Sequence, residues 1–352
     1  MRFIGALAAL SLALAACTTE VDSLRPVQIG GPIFGTGWSL TIPADALADS
    51  GESAEAVQSM VVGVLEGIDA SMSTWRADSE LSRLNETPGG VAVAISEGLD
   101  EVLTLSLAIH VASGGAFDPT VGPLVDLWGF GAKGDRSGSA PDAQAVERIR
   151  EAVGLGLLEI RHGRPTTVTK AVDALEVDLS AIAKGWAVDR VADVLAEAGV
   201  DRYFLEVGGE VRVLGASPRG DAWRVGVNRP TEQADGGNEV AFAVSVESGA
   251  VATSGDYRNY RIVDGQRVAH IVDPRTGRPC ANPPASVTVL APECAVADAW
   301  ATALAVLGAE EGIALIERTP GVEASFLIRN DDGAFTRLAT GGFDAWVLEG
   351  PR

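Results

Sequence analysis

Thr253, Ser254 and Gly255 form a hydroxyl-rich turn, His270 follows, then a Thr276-Gly277 turn, and finally Asp298 and Thr302, four residues apart on an expected helix. Such a set can hold a phosphate-bearing ligand, a hard cation and one proton acceptor in the same place. Positions i and i+4 share a helix face. A carboxylate and a hydroxyl there are hard oxygen donors, suited to Mg²⁺ or Ca²⁺ rather than zinc. On spacing alone, an ordinary helix with Asp298 as its cap and Thr302 half-buried accounts for the pair more simply. His270 is one of three histidines and begins a short expected strand, His270–Val272, that runs into the turn Asp273-Pro274-Arg275-Thr276-Gly277. It suits a general base beside a phosphate, and equally a structural histidine bonded to the turn. His110, inside an apolar helix, is assigned to the core.

Two glycine-containing segments bear on phosphate binding. Asp178-Leu179-Ser180 leads into Ala183-Lys184-Gly185, a strand end, loop and helix start whose N–H groups and lysine favour an anion. Gly208-Gly209 allows close ligand approach or simply a tight bend. Gly129 to Gly134 matches G-x-G-x-x-G, but a loop and Pro141 follow where a dinucleotide fingerprint needs a helix. The match is rejected.

The elements that must position these residues read as helices over Ala54–Ala70, Gly98–Ala112, Ala143–Val153, Ala183–Ala198, Ala295–Leu307 and Gly312–Arg318. Strands are expected at Ser39–Ile42, Glu176–Leu179, Tyr203–Val207, Val211–Leu214, Trp223–Val227, Val240–Val246, Arg261–Ile262, Val287–Leu290, Ala324–Ile328 and Thr336–Leu338. Strands in runs, without strict alternation with helices, give an α+β fold with mixed, largely antiparallel sheets and flanking helices. No internal repeat is visible.

With 352 residues and 47% hydrophobic content the chain buries a large core. A formal net charge of −21 argues against nucleic acid as partner, because a polyanion is repelled. Arg2 precedes an apolar run, Phe3 to Ala16, too short to span a bilayer. Leu14-Ala15-Ala16-Cys17 looks like a bacterial lipobox, which implies a signal peptide over 1–16, lipidation of Cys17, a tether over 17–28 and a periplasm-facing lipoprotein of the inner membrane. Cleavage earlier, leaving a soluble periplasmic protein, is the alternative. Cys280 and Cys294 are compatible with a disulfide or with two separate buried thiols.

Together these segments resemble the ApbE family, the FAD:protein FMN transferases, in order and spacing. The matching stretches are Phe34-Gly35-Thr36, Ser73-Thr74-Trp75, GGAFDPTVGPLVDLWGFG from Gly114, DLSAIAKGWAVDRVADVL from Asp178, Gly208-Gly209, ATSGDYRNY from Ala252, HIVDPRTGRP from His270 and ADAWATALAVLG from Ala297. The resemblance implies an ApbE-like, T-fold-related domain over 29–350. It implies an enzyme that moves FMN from FAD to a Thr or Ser hydroxyl of a partner protein and releases AMP. Carried over, Mg²⁺ is held by Asp298, Thr302 and the carbonyl of Ala181. FAD, the substrate, contacts Phe34, Trp75, Ala116, Phe117, Asp118, Asp178, Lys184 and Val272, and His270 is the base. The implied acceptors are subunits of membrane redox complexes of the Rnf or sodium-pumping NADH:quinone oxidoreductase type.

Three positions depart from the family pattern. Phe34 stands in place of Met, Trp75 in place of Tyr, and Ala301 where some members carry another carboxylate. Trp75 lies where variation accompanies a shift towards plain FAD hydrolysis, so an FAD pyrophosphatase is one alternative. A non-catalytic FAD-binding lipoprotein is the other.

Overall fold

The computed structural model describes residues 25–131, 139–231, 239–255 and 260–348. Cys17 and most of the expected tether lie outside them. The helices are α1 (Ala44–Ser50), α2 (Ala54–Met72), α3 (Glu80–Glu86), α4 (Glu97–Ala112), α5 (Gly122–Leu127), α6 (Ala143–Arg150), α7 (Ala183–Glu197) and α8 (Cys294–Ile316). The strands are β1 (Val27–Ile33), β2 (Thr36–Ile42), β3 (Ala92–Ile95), β4 (Leu158–Arg161), β5 (Thr166–Lys170), β6 (Tyr203–Val207), β7 (Glu210–Leu214), β8 (Trp223–Asn228) and β9 (Val240–Val246). They continue with β10 (Ser248–Gly255), β11 (Tyr260–Val263), β12 (Gln266–Ala269), β13 (Val272–Asp273), β14 (Arg278–Pro279), β15 (Ser286–Ala291), β16 (Glu323–Arg329) and β17 (Phe335–Ala339).

One antiparallel sheet organises the molecule, in the order β1-β2-β6-β7-β10-β15-β16-β17. The period of two along its strands separates two cores. Val287, Val289 and Ala291 of β15 join the main core with α2, α4, α7 and α8, while Leu290 joins Val211, Val213 and Val251 under the β8–β9 hairpin. Every residue of β15 is therefore buried, as expected of a central strand covered on both faces. The α+β expectation holds. A smaller sheet, β3-β5-β4, stands beside α3 and α4.

Two expectations are corrected. Glu176–Leu179 pairs with no strand among the described residues. The side chain of Asn85 takes a strand's place, accepting from Val177 N at 2.8 Å and donating to Val177 O at 2.9 Å, and Asp178 N donates to Pro119 O at 2.6 Å. His270 does not open a strand; it sits between β12 and β13, since Ile271 faces inward and its carbonyl accepts from Cys280 N at 2.9 Å. The two helices expected over Ala295–Leu307 and Gly312–Arg318 are present within α8 and part where expected, at Gly308, whose φ 78° and ψ 175° are not helical.

The crossing of α7 over α8 is the tightest contact near the sheet's centre. A Cβ on Gly185 would stand 2.4 Å from Cys294 O and 2.8 Å from Ala295 Cα. Both are backbone atoms that cannot swing away. Gly185→Ala therefore pushes the helices apart, and overpacking of this kind costs about 1–3 kcal/mol. Urea unfolding should show a lowered midpoint at unchanged slope.

Candidate active site

Two cavities meet at Ser180 and Lys184 below the α7–α8 crossing. The inner one, about 390 Å³, is lined by Ala116, Phe117, Asp118, Asp178, Ala181, Lys184, His270, Val272, Asp298 and Thr302. The outer one, about 740 Å³, is lined by Phe34, Trp75, Arg76 and the first turn of α7. Every residue that the family resemblance implies for FAD, the cation or the base lines these cavities, while Cys17 is outside the described residues. Thr253, Ser254 and Gly255 line the inner one too, at the end of β10, whereas Thr276 and Gly277 do not. Gly277 turns against Val146 and Leu124, and Asp273 with its Arg275 partner closes that turn on itself.

Asp298 is not a helix cap. It lies one turn into α8, buried, and its Oδ2 accepts from Gly185 N at 3.0 Å. That bond has a consequence for Ala181. In a regular helix Gly185 N would donate to the carbonyl four residues back, which is Ala181 O. Diverted to Asp298, it leaves that carbonyl without its helical donor on the wall of the cleft. Thr302 Oγ1 stands 3.4 Å from Ser254 Oγ. A carboxylate, a hydroxyl and a carbonyl freed of its helical donor thus belong to residues of one cavity wall, and such hard oxygens are of the kind that suits Mg²⁺. Among the described residues no cluster of three His, Cys, Asp or Glu competes as a metal site.

Lys184 Nζ donates to Ser180 O at 3.2 Å and lies 3.2 Å from Glu210 Oε1 and 3.7 Å from Asp298 Oδ2. Burial opposes its charge, but Asp298 and then Glu210 outweigh burial and hold the ammonium above the usual lysine range. Burial, followed by repulsion from Asp298, pushes Glu210 up to about 8 against the pull of Lys184. Gly208 makes room for this lysine. With φ 62° it opens the two-residue turn between β6 and β7, and a Cβ there would stand 3.3 Å from Lys184 Cδ and 2.9 Å from Thr36 Cγ2.

His270 is half-buried, with the Phe130 ring edge-on at 6.4 Å. Trp128 Nε1 donates to Gly277 O at 2.9 Å and Arg261 donates to Trp128 O at 3.1 Å, so the chain around Phe130 is tied to the segments flanking His270. The element before Gly129 is α5, a helix, which upholds rejection of the dinucleotide reading; Gly134 is outside the described residues. At the outer cavity, Phe34 and Gly35 have φ 51° and 72° and form the two-residue turn of the β1–β2 hairpin. A phenylalanine in the left-handed region is unusual and concentrates at functional places. Trp75 is 79% exposed on the loop after α2.

The profile of the ApbE family matches residues 34–326. The chain belongs to the ApbE family. It is 39% identical to the FAD:protein FMN transferase of Vibrio cholerae serotype O1 over 98% of this chain and 99% of that protein. It is 34% identical to the one from Escherichia coli K12, over 94% and 90%. The solved flavin transferase ApbE from Vibrio cholerae superposes with a TM-score of 0.81 at 36% identity, covering 92% of this chain and 99% of that one. The flavinyl transferase ApbE from Pseudomonas stutzeri gives 0.82 at 35% identity, over 93% and 98%.

Within this ApbE fold, sequence reasoning missed four groups. Glu210 follows the Gly208-Gly209 turn as the first, inward-facing residue of β7, which is the signal that could have found it. His110 is not core: it is half-buried, with Nδ1 2.9 Å from Phe117 O and 3.4 Å from Asp118 Oδ2. The Asp118 carboxylate also takes Thr120 N, Thr120 Oγ1 and Leu155 N, so it braces the loop that carries Ala116 and Phe117. Buried Asp189 of α7 pairs with half-buried Arg212 of β7, and the same carboxylate accepts from Cys294 N and Ala295 N at 2.9 Å. It caps α8 from a neighbouring helix. Cys280 and Cys294 are free thiols in separate surroundings. Asp189→Ala strips the cap and leaves Arg212 unpaired, so stability should fall by about 3–5 kcal/mol, read by chemical denaturation.

Proposed function

We propose that this chain is a Mg²⁺-dependent FAD:protein FMN transferase acting in trans on a Thr or Ser hydroxyl. What supports the reading is one arrangement: His270, Lys184, Asp298, Thr302 and Ala181 line one cavity, of about 390 Å³, that adjoins a second of about 740 Å³ at Ser180 and Lys184. Its membership of the family and its full-length likeness to FAD:protein FMN transferases point the same way.

The chain's own residues divide the work. Phe34 and Trp75 offer aromatic faces for ring stacking at the outer end. Lys184 brings a positive charge to the junction of the cavities, where a pyrophosphate would lie. Bound Mg²⁺ would neutralise pyrophosphate charge and steady the leaving phosphate. His270 takes the proton of the acceptor hydroxyl as that oxygen attacks the FMN phosphorus. The bond from this phosphorus to the bridging oxygen breaks, and AMP departs with that oxygen. A phosphoester then links FMN to the acceptor. The acceptors are proposed to be subunits of membrane redox complexes of the Rnf or sodium-pumping NADH:quinone oxidoreductase type. Lipidated Cys17 would hold the enzyme on the periplasmic face of the inner membrane.

Incubation with FAD, Mg²⁺ and such an acceptor domain tests this, with in-gel flavin fluorescence and AMP release read together. Both products should appear and both should vanish in Asp298→Ala. His270→Ala should lower transfer by roughly 10²–10⁴-fold while FAD still binds; undiminished transfer would remove His270 from the mechanism. Trp75, exposed at the mouth of the cleft, favours a second reading in which water replaces the acceptor and FMN is released free. Under that reading Trp75→Tyr raises transfer relative to hydrolysis, and an unchanged ratio counts against it.

A further inference from the structure

Glu210 carries an unexplained atom. The side chain is 94% buried by its 6% exposure, lines the inner cavity, and uses Oε1 for Lys184 at 3.2 Å. Its other oxygen, Oε2, is buried with no hydrogen-bond partner. A buried carboxylate oxygen left without a donor is costly, so its position on a ligand-binding wall calls for a donor that arrives with a ligand. The groups around it are Lys184, Asp298 and the space left by Gly208, whose added Cβ would lie 3.6 Å from Oε2. None of these supplies a donor to Oε2.

We propose that Glu210 is a positioning residue of the cation site, accepting through Oε2 a hydrogen bond from a water bound to the divalent cation while Oε1 keeps Lys184 from closing on Asp298. This rests on the cation reading given above and goes beyond it. Mg²⁺ keeps several waters when proteins bind it. Asp298, Thr302 and Ala181 O supply three ligands, so water and substrate phosphate must fill the rest of an octahedron. A carboxylate just outside that shell orients such a water and raises the site's affinity. The other oxygen has a separate task. Lys184 is shared between two carboxylates, at 3.2 and 3.7 Å, and without Glu210 its ammonium would settle on Asp298 alone, where the cation must bind. This chain has Ala301 at the position where a further carboxylate would lie near the metal, so an outer carboxylate from β7 takes on added weight.

Glu210→Gln keeps the shape and an acceptor for Lys184 but puts an amide N–H donor where Oε2 accepts. The test titrates the full chain with Mn²⁺ alone, counting free Mn²⁺ by its paramagnetic resonance signal, and runs a thermal melt beside it. The affinity of Glu210→Gln for Mn²⁺ should fall by about 10–100-fold, the usual cost of losing an outer partner, with the melting temperature nearly unchanged. Equal Mn²⁺ affinity in wild type and Glu210→Gln overturns the proposal, and so does a loss of affinity matched by a collapsed melt in Glu210→Gln. Asp298→Ala separates the two readings. If wild type binds Mn²⁺ and Asp298→Ala does not, the cation site stands and Glu210 is judged on its own variant. If wild type binds none, the cation site fails and both readings fall.

Discussion

The close approach of α7 to α8 at Gly185 is the constraint on which the site depends. Because no side chain separates the helices, the Gly185 N–H reaches Asp298 rather than its own helix, and Ala181 O is released toward the cleft. One missing methyl group thus places two of the three candidate cation ligands. The next turn of α7 repeats the device, for Asp189 caps α8 and pairs with Arg212 on β7. The sheet, the lysine-bearing helix and the carboxylate-bearing helix are locked together by hydrogen bonds that end at one place.

The electrostatics follow from that locking. Two carboxylates and one ammonium share a partly dry pocket. At 3.2–3.7 Å and an effective dielectric near 20, each attraction is about 4–5 kcal/mol, against a burial penalty of several kcal/mol per ion. The terms nearly cancel. Lys184 keeps its charge, helped by two partners, while Glu210 has one partner and a like-charged neighbour and is pushed up to about 8. A pocket so balanced gains from one further positive charge, and Asp298, Thr302 and Ala181 on the same wall are the candidates to hold it.

Much of the fold was legible because its elements follow simple periods. Tyr203–Val207 and Val240–Val246 alternate as strands do and appear with the expected bounds, and Ala54 onward carries a clean helical stripe. The site residues were legible only as a set, through family likeness; spacing alone favoured a plain capped helix for Asp298. What escaped depends on contacts distant in sequence. Glu176–Leu179 alternates like a strand, yet its partner is the side chain of Asn85, and no local pattern reveals that. Asp189 looks like a polar residue on the outer face of α7 and proves to be a cap for another helix. Glu210 looks like an ordinary strand start. His110 looked like core because its neighbours are apolar, but its ring binds the loop of Phe117 and Asp118.

The outer cavity obeys a different rule from the inner one. Inner groups are held by buried charge and close packing, whereas Phe34 is held by backbone twist. A two-residue hairpin turn matching the twist of its strands needs positive φ at both central positions, which favours Asn-Gly. Phe34 occupies the first of these at φ 51° and accepts a cost of order 1 kcal/mol for a non-glycine residue. Local folding does not call for an aromatic there, since asparagine would make the same turn with less strain. The ring is explained by what it faces: the cavity it shares with Trp75, opening onto the first turn of α7 and Lys184. Strain at the hairpin tip thus shapes the outer cavity, and the charge balance at the helix crossing shapes the inner one.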